Sequence, residues 1–134
     1  MIIILDLSKA YHRVNRKILF KILKERGILE DKEIEFLKII YENLYYINDG
    51  EKIYMENGVF QGLRGAVFEF LIYMDEAMKT FRLSLTSVDL NDVEFADDLI
   101  LATETNSVKY TLKKLKEKFD EFNLEINFQK SEFI

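Results

Sequence analysis

The stretch Val93-Glu94-Phe95-Ala96-Asp97-Asp98-Leu99-Ile100-Leu101 sets two adjacent carboxylates between two short apolar runs. Runs of that length, rich in Val, Phe, Leu and Ile, read as strands, so the acidic pair falls at the tip of a tight β-hairpin. Two ionised Asp side chains at such a tip repel each other unless a cation lies between them. Hard divalent ions such as Mg²⁺ are held by one or two carboxylates together with substrate phosphates. An isolated Asp-Asp turn is more often an ordinary solvated turn. Here a third carboxylate, Asp6, follows the apolar run Ile2-Ile3-Ile4-Leu5 in a comparable setting.

Those carboxylates need elements to carry them. Ile2-Ile3-Ile4-Leu5 is β-branched and continuous, suited to a strand buried on both faces. Asn15 predicts the N-cap of a helix over about Arg16 to Arg26, closed by Gly27. Its apolar stripe is Ile18, Leu19, Ile22 and Leu23. Asp31 predicts the next cap, for a helix whose core face is Ile34, Leu37, Ile40, Tyr41 and Leu44. Asn48-Asp49-Gly50 between Tyr45-Tyr46-Ile47 and Lys52-Ile53-Tyr54-Met55 predicts a β-hairpin. A glycine-rich loop, Asn57 to Gly65, leads into a helix over roughly Ala66 to Phe81, apolar on most sides and so expected to be central and buried. After the carboxylate hairpin, Asn106 or Ser107 caps a helix ending near Phe122. Its lysines, Lys109, Lys113, Lys114, Lys116 and Lys118, read as a solvated face rather than a nucleic-acid patch. Leu124-Glu125-Ile126-Asn127 alternates as a last strand. The order β-α-α-β-β-α-β-β-α-β implies an α+β antiparallel sheet with helices packed on one face.

The 134 residues fit one domain with a real core, and 49% apolar with 32% charged residues is a globular composition. No apolar run approaches the ~18 residues of a membrane span, and Met1 to Leu5 is too short for a signal peptide. No membrane partner is expected. With no cysteine there is neither a disulfide nor a thiolate site, which allows an intracellular location. The net charge of −5 is unlike the basic footprint of most nucleic-acid binders, although clustered carboxylates lower it without excluding a local basic face.

Three segments, in order and spanning most of the chain, resemble the palm of a reverse transcriptase, closest to the non-LTR retrotransposon and group II intron type. Asp6-Leu7-Ser8-Lys9-Ala10-Tyr11 is similar to the family's first catalytic motif. Gly58-Val59-Phe60-Gln61-Gly62 is similar to the loop before the long palm helix, and Phe95-Ala96-Asp97-Asp98 to the aromatic-Ala-Asp-Asp hairpin. A fourth segment, Leu124-Glu125-Ile126-Asn127-Phe128-Gln129-Lys130-Ser131, is similar to the family's segment ending in Asn-x-x-Lys-Ser/Thr.

The resemblance implies RNA-directed DNA polymerase chemistry: transfer of deoxynucleotides to a primer 3′ end on an RNA or DNA template, with two Mg²⁺ (or Mn²⁺) ions. Asp6 and Asp97 would hold the ions, with Asp98 the third and less direct ligand. Backbone amides from Leu7 through Ser8, Lys9 and Ala10 to Tyr11 would cradle the triphosphate. Tyr11 would stack under the sugar and exclude a 2′ hydroxyl; Gln61 and Gly62 would meet the incoming nucleotide or template. Lys130 would neutralise or protonate the leaving pyrophosphate.

There are departures. Phe60 and Val67 stand where the family usually has proline, and His12 where it often has Asp. Residues 1–134 correspond to the palm alone, without the N-terminal fingers or the thumb, which makes polymerase activity of the isolated chain doubtful. Two other readings follow: a non-catalytic palm remnant serving as a scaffold or interaction module, and another palm-type phosphoryl-transfer enzyme. Surfaces that fingers and thumb would cover also allow a homodimer.

Overall fold

The computed structural model describes residues 1–95 and 97–134. The first strand, β1 (Ile2–Leu7), is followed by a single helical turn, α1 (Ala10–Arg13), and by the helices α2 (Arg16–Glu25) and α3 (Asp31–Glu42). A two-stranded hairpin, β2 (Tyr45–Asn48) and β3 (Glu51–Tyr54), precedes the long helix α4 (Ala66–Ser84). Then come β4 (Leu90–Phe95), β5 (Asp98–Thr103), a 3₁₀ turn at Thr105–Ser107, α5 (Val108–Glu121) and β6 (Ile126–Phe133). The four-stranded sheet runs β4-β5-β1-β6, antiparallel at every pairing. This is the expected α+β architecture, with one added turn too short to leave a periodic signal.

Local chemistry accounts for the boundaries. The Asn15 side chain accepts a hydrogen bond from the Ile18 N–H at 3.2 Å and so starts α2, which ends just before Gly27 at φ +68°. For α3 the cap is Glu30, one residue ahead of the expected Asp31. Its N–H donates to the Glu33 carboxylate at 3.1 Å, the backward half of a capping box. Asp49 and Gly50 both take positive φ (50° and 79°), the type I′ geometry that matches the twist of paired strands.

The core lies between α2, α4 and α5 and one face of the sheet. Ile3, Leu5, Leu7, Leu99 and Leu101 meet Phe70, Met74, Met78, Phe81, Leu115 and Phe119, all buried. The Tyr73 hydroxyl donates to the Phe122 carbonyl and accepts from the Asn15 N–H at 3.3 Å, joining α4 to the end of α5 and the start of α2. Burial pushes that phenol up to about 12.

Two expectations of burial are corrected. β1 is central but not enclosed: Ile2 is 46% exposed and Ile4 half-buried, because every helix of this layer packs on the opposite face. Helix α4 is not buried all round either. Val67, Phe68 and Leu71 lie on its open side, more than two-fifths exposed.

The lysines of α5 are a solvated face as read. Lys114, Lys116 and Lys118 pair with Glu117, Asp120 and Glu121 on their own helix, within 3.6 Å. No helix among the described residues is long and apolar enough to cross a membrane.

Candidate nucleotide and metal site

In the register of β1 with β5, Asp6 stands directly opposite Asp98, and Phe95 of β4 stands opposite Asp98 on the other side. On the remaining flank Asp6 faces Asn127 of β6. Phe95, Asp98, Asp6 and Asn127 therefore form one row across all four strands. Directly paired residues project to the same face with Cβ atoms about 4.5–5.5 Å apart. That face is the open one, since Leu5, Leu7 and Leu99, the alternate residues, are buried beneath.

Asp97 precedes Asp98 in the turn between β4 and β5 and is half-buried. The structure thus sets Asp98, rather than Asp97, across from Asp6. Ala96, the second residue of the Phe-Ala-Asp-Asp motif, lies outside the described residues. Carboxylate oxygens are the donors that hard divalent ions take, so the residue types suit Mg²⁺ or Mn²⁺. Among the described residues, however, no group of three or more His, Cys, Asp or Glu side chains is gathered closely enough to hold a metal ion.

After Asp6 the strand runs one residue further, with Leu7 paired to Ile126, before the chain turns. The Ser8 N–H donates to the Glu125 carbonyl at 2.9 Å, and Lys9 adopts the left-handed conformation (φ 47°, ψ 46°) that starts α1. A lysine there carries about 1–2 kcal/mol of backbone strain. Leu7 and Ala10 are buried and anchor the two ends of this turn.

The half-buried Tyr11 ring stacks on Phe70 of α4, with centroids 4.2 Å apart and planes 16° from parallel. Burial first, and the negative charge of Asp97 second, hold its phenol above the ordinary tyrosine value. The charge of Asp97 thus acts on Tyr11 across 86 positions of sequence.

The glycine-rich loop is fastened to this same turn. The Gly58 N–H donates to the Val14 carbonyl and the Val59 N–H to the Tyr11 carbonyl, each at 2.8 Å. Gly58 sits at φ +91°, and a Cβ there would lie 2.7 Å from the Tyr11 and His12 backbone, so no other residue fits. Gln61 and Gly62 follow, both exposed.

Lys130 is exposed in the part of β6 where its register with β1 breaks between Ile4 and Asp6. Its N–H donates to the Asn127 side chain at 3.3 Å. The Ser131 hydroxyl donates to the Asn127 carbonyl at 2.7 Å and accepts from the Asp6 N–H at 3.4 Å. The Asn-x-x-Lys-Ser segment is thereby folded around Asp6. The sequence marked Asn127 and Ser131 as part of that segment but gave them no role of their own; their part in holding the Asp6 backbone comes from the fold.

The sequence pattern of the reverse transcriptase (RNA-dependent DNA polymerase) family matches residues 1–134. Comparison with curated proteins gives no match. Among solved structures, apo telomerase from Candida tropicalis superposes with a TM-score of 0.74 at 20% identity, covering 99% of this chain and 28% of that one. The same telomerase in complex with a TWJ fragment of telomeric RNA gives 0.73 at 22% identity, covering 99% and 25%. Telomerase from Candida albicans in complex with a TWJ fragment gives 0.69 at 16%, covering 99% and 26%. The chain spans about a quarter of the length of these proteins, and the likeness is one of fold. With the sequence pattern matched from end to end, the chain belongs to the reverse transcriptase (RNA-dependent DNA polymerase) family.

Proposed function

We propose that this polymerase domain fragment is the palm of an RNA-directed DNA polymerase, and that Asp6, Asp97 and Asp98 are its metal-binding carboxylates. The observation that carries the reading is the shared row: Asp6 and Asp98 stand opposite each other on the open face, with Asp97 next in the turn. Two Mg²⁺ or Mn²⁺ ions, when bound, would lower the pKa of a primer 3′ hydroxyl and offset charge on the leaving pyrophosphate.

The other residues take roles that suit where they stand. Leu7 and Ala10 fix the turn, and the amides of Lys9, Ala10 and Tyr11 face the triphosphate, with Ser8 offering its hydroxyl because its amide is already bonded. The Tyr11 ring, held flat on Phe70, meets the deoxyribose and leaves no room for a 2′ hydroxyl. Gln61 and Gly62 border the template side. Lys130, within a segment bonded back to the Asp6 backbone, donates to the departing pyrophosphate. Template-primer and deoxynucleoside triphosphates are the ligands, and fingers and thumb are the neighbouring domains that would complete the cleft.

Mn²⁺ titrations followed by electron paramagnetic resonance test this, with and without a deoxynucleoside triphosphate. Specific binding that the nucleotide strengthens, and that Asp97→Asn abolishes, is the expected result. Equal binding by parent and variant removes the assignment. It would favour instead a palm that serves as a scaffold.

A further inference from the structure

Arg16 lies outside every motif, at the first position of α2, yet its guanidinium reaches the glycine-rich loop. Its Nε donates to the Gly58 carbonyl at 2.8 Å and Nη2 to the Asn57 carbonyl at 3.4 Å; Nη1 reaches the Tyr41 carbonyl at 3.5 Å. The guanidinium also lies over the Tyr41 ring, 4.8 Å from its centroid. The fork is thus spread over two carbonyls of one loop and one of α3. Arginine supplies this geometry and lysine does not.

What the fork holds matters for Tyr11. The peptide whose carbonyl Arg16 grips follows the Gly58 N–H bonded to Val14, and the next N–H, that of Val59, is bonded to the Tyr11 carbonyl. The Tyr11 ring is stacked on Phe70. The backbone of Tyr11 is therefore set by residues 58–59 and its ring by α4, while Gln61 lies two positions beyond Val59. From this we infer that Arg16 is a positioning residue for sugar selection. By clamping Gly58 it makes the turn carrying Tyr11 and the loop carrying Gln61 move as one body. The inference rests on the nucleotide-binding reading above, and concerns a residue that touches neither metal nor nucleotide.

Two measurements on the whole chain test it. Amide hydrogen exchange in Arg16→Met should accelerate at Gly58 and Val59 by about tenfold, the equivalent of one hydrogen bond to a charged donor, with Tyr73 and Met74 in mid-α4 unchanged. Equilibrium dialysis with Mn²⁺ should show the parent preferring dGTP over GTP, and Arg16→Met losing about tenfold of that preference while its midpoint of thermal unfolding stays within a few degrees. Arg16→Lys, which keeps the charge but not the fork, should fall between them, and replaces Arg16→Met if that variant does not fold.

Unchanged exchange at Gly58 and Val59 overturns the clamp. Accelerated exchange with an unaltered dGTP preference overturns the role in selection. A parent that binds neither nucleotide overturns that role together with the proposed function, and the exchange data then show whether the clamp itself exists.

Discussion

Among the described residues Glu69 is the one acidic side chain buried in the core, 8% exposed on α4, and its carboxylate accepts a hydrogen bond from the Tyr41 hydroxyl. Burial raises its carboxyl pKa, and the bond from Tyr41 only partly offsets this; Tyr41 is itself raised by burial and by the carboxylate. A carboxyl whose native pKa lies above its unfolded value binds protons more readily when folded. Its contribution to stability is therefore present at low pH and lost as pH rises from about 4.5 through the native value. Urea midpoints taken from pH 4 to 8 should decline along that interval, and Glu69→Gln should flatten the decline. Tyr41→Phe leaves the carboxylate without its donor and should cost about 1–3 kcal/mol at neutral pH. The pair was invisible in the sequence, where Tyr41 read as one more core-face helix position and nothing marked Glu69. The bond from Arg16 to Gly58 escaped for the same reason. Local pattern announces caps and turns, such as Asn15 and Asp49-Gly50, but contacts across many residues leave no periodic trace.

Elements were the most legible level, because punctuation and periodicity act over a few residues. β4 is the exception that shows the limit. Its alternation turns Asp92 and Glu94 toward α4, not toward solvent, and the apolar Val93 and Phe95 outward. Arg82 explains the inversion: it donates to Asp92 at 2.5 and 2.9 Å and to Glu94 at 2.8 Å. Arg82 thereby pins the edge strand of the hairpin whose tip carries Asp97. Arg82→Ala should lower stability by about 1–3 kcal/mol, since it leaves two mostly covered carboxylates facing each other. Adding Asp92→Asn and Glu94→Gln should recover most of the loss. Chemical denaturation of the three proteins gives the comparison, and a single variant as stable as the parent would mean the hairpin is held by its β5 pairing alone.

At the scale of the molecule, one face of the sheet is packed and the other is bare. The apolar row Val93–Ile100–Ile4 lies on the bare side and Leu99–Leu5 beneath it. Leu99→Ala should cost about 2–5 kcal/mol, whereas Ile100→Thr should change stability by less than about 1 kcal/mol. Similar costs for both would mean that the outer face is covered in solution. Continuous apolar runs hid this asymmetry: Ile2-Ile3-Ile4-Leu5 reads as doubly buried, and only pairing with β5 and β6 reveals which residues face out. The three Asp residues were legible as chemistry, but their register was not. A one-residue difference decides whether Asp97 or Asp98 stands across from Asp6.

The central strand is also made long before the strands it pairs with. Its bonds run to partners far along the chain, from Met1 to Thr103 across 102 residues and from Asp6 to Ser131 across 125. At translation rates of about 5–20 residues per second, β1 waits about 5–20 s for β5 to be synthesised. Throughout that delay Ile2-Ile3-Ile4-Leu5 is an unpaired, β-prone segment on a nascent chain, which makes this stretch a natural client for a ribosome-associated chaperone.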